Sequence, residues 1–565
     1  MSRMLRRASI GILAGAVAGT ALVMTLAHPL PVLMIAALVG AGYSASLNPT
    51  KDTYVDNLMA GGALGIPLWG LISVVAIPVL SGHQPEWDAD QVRGQFPALV
   101  GWVIYGAVLG VLTQGLNDFV ARVWGPEVMP DKNDEREKTR VVIVGGGFAG
   151  MRTAERLEQE FRTNPGVLLT LISETNALLF TPMLAEVAGS SLEPTHISTP
   201  LRSSLHRTEF IRGKVERIDL ETRRIFLATD VASGETSQRE VPYDHLVFAL
   251  GAVSNYLGMA NLEQYSFNFK SLLDAIRVRN HMIEMFERAD RENDPAQRRA
   301  LLTFVIAGGG FAGAELAGAL NDYGHGILAD YPKLRKEEFS VVLVHARDRI
   351  LPELSESLAR YAQERMEARG VIFRLNTRLT DAGPGVVTLS GGEIRAQTLV
   401  WTAGTAPNPL VQSLPLEKDK RRALVVDRTL ALPGKPGLWA LGDCAAVVDA
   451  KTGKPCPPTA QFALREAEVL AKNIRAQVEG RPLREFHFDS LGALCVVGHQ
   501  TACAELTVPF ARSKSMRFSG LLAWLMWRGI YLSKLPGLER KIRVLTDWAV
   551  ELFFPRDIVQ TIELK

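Results

Sequence analysis

The chain has 565 residues, of which 47% are hydrophobic and 22% charged, with a formal net charge of +2. This composition excludes a disordered chain, and the balanced charge gives no electrostatic case for nucleic acid as a partner. Four cysteines, at positions 444, 456, 495 and 503, form no C-x-x-C pair, which argues against a disulfide-stapled scaffold and a zinc ribbon, so no metal is expected.

The N-terminal region is the least charged. Between Ala8 and Ala121 only eight of 114 residues are Lys, Arg, Asp or Glu. They leave four uncharged stretches, Ile10–Ala27, Leu30–Leu47, Leu58–Leu80 and Gln95–Asn117. Each approaches the ~20 residues that an α-helix needs to cross a bilayer. Four transmembrane helices are therefore expected within residues 1–125, with one broken helix over the first two stretches as the alternative. Arg3, Arg6 and Arg7 precede the first stretch, and Arg122, Lys132, Arg136, Lys138 and Arg140 follow the fourth. The positive-inside tendency then places both ends of the region in the cytoplasm of a multi-pass cell-membrane protein. Residues 126–139 read as a charged linker, since Asp131–Arg140 holds eight charges in ten residues.

A soluble α/β pattern follows. Arg140–Val144 reads as a buried parallel strand, directly followed by Gly145-Gly-Gly-Phe148-Ala149-Gly150 and a helical run. This is G-x-G-x-x-G in strand–turn–helix context. Gly145 permits the turn, Gly147 lets a pyrophosphate approach the backbone, and Gly150 lets helix and strand pack closely. Glu174, after the second strand, can accept hydrogen bonds from a ribose diol. The unit recurs at Phe304–Ala307 and Gly308-Gly-Gly310-Phe-Ala-Gly313, with a second strand at Ser340–Val344. Two such loops imply two dinucleotide sites and a hydride passed between them. Tyr243–Gly251 and Thr398–Gly404 read as strands leading into chain crossings between the two nucleotide domains, and Leu438–Asp443 as a strand ending in Gly442-Asp443.

With the segments Phe180–Gly189, Leu441–Ala445 and Pro457–Gln461 and the C-terminal tail, residues 139–565 resemble type II NADH:quinone oxidoreductases, FAD enzymes related to the disulfide reductases. The resemblance implies two Rossmann-like dinucleotide-binding domains of glutathione reductase type. FAD is then expected on the first loop (140–300 with 404–480) and the nicotinamide nucleotide, NADH or NADPH, on the second (301–403). It implies further that Thr181 and Pro182 lie near the isoalloxazine ring, that Asp443 contacts the flavin's ribityl–phosphate region, and that Ala460 and Gln461 open a helix facing flavin and quinone. Glu315 matches the family's acid beside the nicotinamide and quinone sites. Glu315 and Gln461 are the candidate catalytic residues. Arg465 replaces a family glutamine, and His499 stands where Lys or Arg is common.

At the second unit's ribose position stands His345, where an NADH-selective site has Asp or Glu. Arg347 and Arg349 follow it, so weak discrimination against NADPH is expected. The last segment, 481–565, is rich in Lys and Arg, with Trp524, Trp527 and Tyr531 spaced along one helical face. It reads as an amphipathic membrane contact, with a homodimer interface or core packing as the alternative. The combined expectation is a non-proton-pumping, membrane-bound NAD(P)H:quinone oxidoreductase working with lipid and quinone. The alternatives are another NAD(P)H-dependent reductase with a ferredoxin-type acceptor, and a non-catalytic flavin redox sensor.

Overall fold

The computed structural model of the chain describes residues 3–23, 29–47, 54–80, 96–123, 138–228, 239–507 and 515–560. The chain divides into two compact units, Met1–Val128 with Leu525–Leu545 and Met129–Trp524 with Thr546–Lys565. Of the expected linker at 126–139, all but the last two residues lie outside the described residues.

In the first unit all four uncharged stretches are helical over their described residues. The helices are Arg3–Ala18 continued by Thr20–Val23, Pro29–Leu47, Tyr54–Leu80 and Phe96–Val123. Asn57–Val79 and Phe96–Leu116 are long and apolar enough to cross a bilayer, whereas the apolar parts of the other two, Ser9–Ala18 and Val32–Ser44, are shorter. Length and composition therefore meet the expectation of four spans at two of its positions. Pro67 removes one N–H from the third helix, which widens into a π-helical turn over Trp69–Ala76.

The first two stretches are separate antiparallel helices, not one broken helix. Small residues let their backbones touch: a Cβ on Gly11 would lie 2.2 Å from the Gly40 carbonyl oxygen, and one on Gly15 2.4 Å from that of Ala36. The second pair repeats the device, with a Cβ on Gly61 only 1.9 Å from the Gly106 oxygen. Buried polar groups pair across helices. Asn57 Nδ2 donates to Gln114 Oε1 (2.8 Å), Trp102 Nε1 to Ser73 Oγ (2.8 Å), and Tyr105 OH to the Ala36 carbonyl (2.6 Å). Leu525–Leu545 belongs to this unit, where Trp527 is buried edge-to-face with Tyr531 at 4.8 Å between ring centroids. The aromatic stripe thus packs inward over part of its length, because a tryptophan gains more from a packed interior than from a wet rim. Leu521, Leu525, Ile542 and Val550 are exposed apolar residues of the helices Gly520–Lys534 and Leu538–Glu551.

The second unit is α/β and contains one design twice. The first parallel sheet runs Leu438–Ala440, His245–Phe248, Thr139–Val144, Val167–Ser173, Glu209–Arg212. Val141–Val144 are buried in one core with residues of the helices Phe148–Glu160 and Ala460–Val478 and of the strands Val215–Asp219 and Arg224–Leu227, so an uninterrupted apolar run is what such a strand requires. The second sheet runs Phe267–Asn268, Thr398–Trp401, Thr303–Ala307, Ser340–Val344, Ile372–Arg374, again parallel. Each sheet is accompanied by a three-stranded antiparallel meander, Val215–Pro242 for the first and Leu379–Arg395 for the second. The crossings between the two domains are the paired strands Ala252–Ser254 and Thr405–Pro407. Gly251 and Gly404 enter them at φ of +62° and +84°, a region that favours glycine. A C-terminal sheet, Gly492–Gly498, Thr501–Thr507 and Ser515–Ser519, completes the unit.

Candidate active site

The two glycine loops are built alike. Gly145 and Gly308 lie at φ +114° and +119°. Gly147 and Gly310 cap the helices Phe148–Glu160 and Phe311–Ile327 with φ of −76° and −78°. A Cβ on Gly150 would lie 1.8 Å from the Gly145 oxygen, and one on Gly313 1.8 Å from the Gly308 oxygen, so both third glycines are demanded by helix–strand contact. A Cβ on Gly147 would meet nothing within 4 Å, and one on Gly310 only Glu353 Oε1 at 3.8 Å. The second glycine of each loop therefore faces open space at a helix N-terminus, where an anionic pyrophosphate fits.

Around the first loop the structure gathers most of the residues singled out for a flavin. Phe148 packs edge-on against Phe180 (5.7 Å), the residue before the Thr181–Met183 turn that carries Thr181 and Pro182. A Cβ on Gly442 would lie 3.2 Å from the Ala149 Cβ, which seats the Gly442–Asp443 turn on the loop's helix. Burial raises the Asp443 carboxyl above its ordinary value, and Lys270 and Arg421 draw it back. Lys270, lowered by burial and supported by Asp443, donates Nζ to the Ala252 carbonyl at 3.1 Å. Beneath the turn, Glu466 Oε2 accepts the Gly442 N–H at 2.7 Å, and burial pushes this carboxyl up to about 7. Lys270 and Glu466 escaped the sequence reading. Glu466 had a signal, since it falls on the apolar stripe of helix Ala460–Val478 with Phe462, Ala463, Ala467 and Leu470.

The strand registers correct one alignment. Val144 pairs with Ile172 and Ala307 with Val344, so His345 corresponds to Ser173, and Glu174 to Ala346. Glu174 is exposed one residue beyond the position that His345 occupies. His345 is turned onto its own loop, its Nδ1 accepting the Gly309 N–H at 3.0 Å. Burial and the neighbouring Arg347 lower its pKa. Arg347 is exposed, while Arg349 is committed to the Leu354 and Pro352 carbonyls at 3.0 and 3.3 Å.

The two candidate catalytic side chains meet one strand. Glu315 Oε1 accepts the Val496 N–H at 3.3 Å. The Gln461 amide accepts from Leu491 N (3.2 Å) and Ser490 Oγ (3.0 Å) and donates to the Gly492 carbonyl (3.3 Å). Gly492–Gly498 thus links the helix that starts at Ala460 to the helix that follows the second loop. Arg465 stands apart from this junction, whereas His499 follows its strand and donates its backbone N–H to Asp322 of the helix Phe311–Ile327. Arg465 pairs with Glu468 and covers the Phe488 ring at 5.5 Å, and His499 packs edge-on against Trp524. All four cysteines are free and buried, and burial raises their thiols, three of them to about 12, so none is a ready nucleophile.

Residues 139–467 match the pyridine nucleotide-disulphide oxidoreductase family, and residues 491–557 match the NDH2 C-terminal domain. Type II NADH:quinone oxidoreductase Ndh of Mycobacterium tuberculosis is 30% identical over 447 residues, 76% of this chain and 91% of that protein. The chain belongs to the type II NADH:quinone oxidoreductase family. A Haemophilus influenzae member is 32% identical over 399 residues, covering 66% of this chain and 88% of its own. The Plasmodium falciparum NDH2 structure in complex with NADH shares the fold, with a TM-score of 0.67 and 17% identity over 75% of this chain and all of that one. The family matches begin at the first glycine-loop strand, so the N-terminal helices lie outside them.

Proposed function

We propose that this chain is a membrane-bound NADH:quinone oxidoreductase with FAD on the first loop and NADH on the second. FAD, when bound, would supply the two-electron chemistry that joins the substrates, by which the hydride of NADH and one proton turn a quinone into a quinol. The protein's part is placement. Gly147 and Gly310 open their helix N-termini to the two pyrophosphates. Asp443, with Lys270 opposite it and Glu466 holding its turn, takes the ribityl–phosphate side, and Glu174 the ribose diol. Thr181 and Pro182 border the ring. Glu315 and Gln461 stand at the quinone end, where Glu315 holds a proton for the acceptor. The observation that carries this reading is the pair of alike, open-cradled glycine loops with both candidate catalytic side chains bonded to the one strand Gly492–Gly498.

The N-terminal helices support a multi-pass anchor. Ile12, Leu13, Met34, Leu38, Leu71, Phe96 and Ile104 are all exposed, as lipid-facing side chains would be. The basic flanks favour a cytoplasmic face for the catalytic unit. The glycine-seamed helices carry paired polar groups, Asn57 with Gln114 and Trp102 with Ser73, consistent with anchoring without proton pumping. Full-length protein purified in detergent is expected to hold FAD and to turn over NADH with a short-chain quinone. Bound flavin with no quinone-dependent NADH oxidation would sink the reading in favour of a redox sensor.

A further inference from the structure

The second cradle differs from the first at the place where a nucleotide's 2′ position is read. A Rossmann unit that selects NADH places a carboxylate at the end of its second strand, which accepts from the 2′-hydroxyl and repels a 2′-phosphate. Here that strand ends at Val344, and the next two residues are His345 and Ala346. Neither carries negative charge. The acceptor nitrogen of His345 is already used, because Nδ1 takes the Gly309 N–H at 3.0 Å. The ring completes the loop and offers no anion to the ribose.

The surrounding charge is cationic. Arg347 is exposed and makes no ion pair among the described residues. Arg374 ends the neighbouring parallel strand, its carbonyl accepting the His345 N–H at 2.9 Å, and its side chain is likewise exposed and unpaired among the described residues. Thr377 N donates to the His345 carbonyl and Asn376 N to that of Arg347, so two short loops hold both arginines at one rim. Asp348 is the exposed acid beside Arg347, and Glu353, also exposed, faces the Gly310 end of the loop, its Oε1 3.8 Å from where a Cβ on Gly310 would lie. Most other arginines of this unit are held in ion pairs or by carbonyls. Two free guanidiniums beside an uncharged strand end make a rim suited to a phosphate dianion, which guanidinium binds with two parallel hydrogen bonds.

We propose that the second cradle takes the 2′-phosphorylated nucleotide NADPH as well as NADH, with Arg347 and Arg374 meeting the phosphate and His345 standing where an acid would exclude it. The proposal rests on the reading of the second loop as the nicotinamide nucleotide site and goes beyond the NADH of the relatives' names. Chemically nothing else changes, since the hydride leaves the same nicotinamide ring.

The test uses the flavin-loaded full-length protein in detergent with two readouts. NADP+ and NAD+ binding to the oxidised enzyme is followed by calorimetry, and kcat/KM is measured for NADPH and NADH with a short-chain quinone. In the parent the two nucleotides are expected within about tenfold of each other on both readouts. Arg347→Gln and Arg374→Gln should each lower NADPH relative to NADH by about tenfold and flatten the salt dependence of NADP+ binding. His345→Glu should move the ratio toward NADH by tenfold or more. A parent preference for NADH above about a hundredfold would overturn the proposal while leaving the cradle's assignment intact. Arginine variants that weaken both nucleotides equally would also overturn it. If neither nucleotide binds, the assignment of the second loop itself falls.

Discussion

The two nucleotide domains share a backbone and differ in what surrounds it. Both glycine loops have the same dihedrals, the same 1.8 Å constraint on their third glycine and the same open second glycine. The first cradle is closed over by distant chain. Asp443, Glu466 and Lys270 come from three separate segments, and two of the carboxyls are raised by burial. The second cradle is left open, with exposed arginines on its rim and Glu315 reaching across to Val496. Repetition of a loop therefore gives two alike cradles, and the added segments make their surroundings differ.

The largest effect that breaks this symmetry is expected from the third glycines. Alanine at either position must displace backbone, at a cost of about 3 kcal/mol to its own domain. Gly150→Ala should purify without flavin. Gly313→Ala should keep flavin but lose NADH oxidation at any attainable NADH concentration. Absorbance spectra and steady-state rates separate the two, and loss of flavin from both variants would contradict the division of labour.

The next effect concerns what ties the two domains together. Residues 547–559 form a strap. Arg556 is paired with Glu551 at 2.8 Å and donates to the carbonyls of Gly189 in the first domain and Ala319 in the second, at 3.1 and 3.5 Å. The Asp557 carbonyl accepts from Ser190 Oγ and Tyr323 OH at 2.9 and 2.8 Å. Arg556→Ala removes the guanidinium from Glu551, 9% exposed, which keeps the Ser191 Oγ donor at 2.9 Å, so a loss of about 3 kcal/mol is expected. Calorimetric melting and flavin release should move down together. Melting that moves without flavin release would show that the strap braces one domain only.

Smaller effects follow at the second glycines. Gly147→Ala and Gly310→Ala meet almost no protein atom, so stability should hold while the pyrophosphate is crowded. Each should weaken its own ligand roughly tenfold, about 1.4 kcal/mol. Flavin dissociation reads the first and the NADH KM the second, and a shift of both constants by either variant would blur the two sites into one.

The last effect is a pH dependence. Burial holds Glu466 at about 7 in the folded chain, above its ordinary 4.5. The stability given by the protonated form is complete below that ordinary value and is lost as pH rises through about 7. Glu466→Gln keeps an acceptor for the Gly442 N–H and removes the charge. It should melt higher than the parent at pH 8 and level with it at pH 5. An identical pH dependence in parent and variant would place the titrating group elsewhere.

Much of this comparison was legible in the sequence, because a glycine loop between an apolar strand and a helix has few other uses. The crossing glycines at 251 and 404 were legible for the same reason, since a positive φ narrows the choice of residue. That Glu174 matches Ala346 and not His345 was not legible, as strand ends carry no periodic signal and only the register fixes them. Lys270 was invisible, being a lone cation in a loop whose partner Asp443 lies far along the chain. The tail was read as an amphipathic membrane contact, with a homodimer interface or core packing as the alternative, and its division was not legible: Leu525–Leu545 belongs with the N-terminal helices and Thr546–Lys565 with the dinucleotide domains. An amphipathic pattern shows that a face is buried without saying by what.

The central claim is that the two cradles are successive stations for the same electrons, and separate half-reactions test it most directly. Flavin-loaded protein is mixed anaerobically with one equivalent of NADH, and a short-chain quinone is added afterwards. The account predicts that NADH bleaches the flavin's visible absorbance, that quinone restores it, and that Gly313→Ala abolishes the first step while a chemically reduced variant still completes the second. Bleaching of the Gly313→Ala flavin by NADH at the parent rate, or parent flavin that NADH reduces and quinone cannot reoxidise, would contradict it.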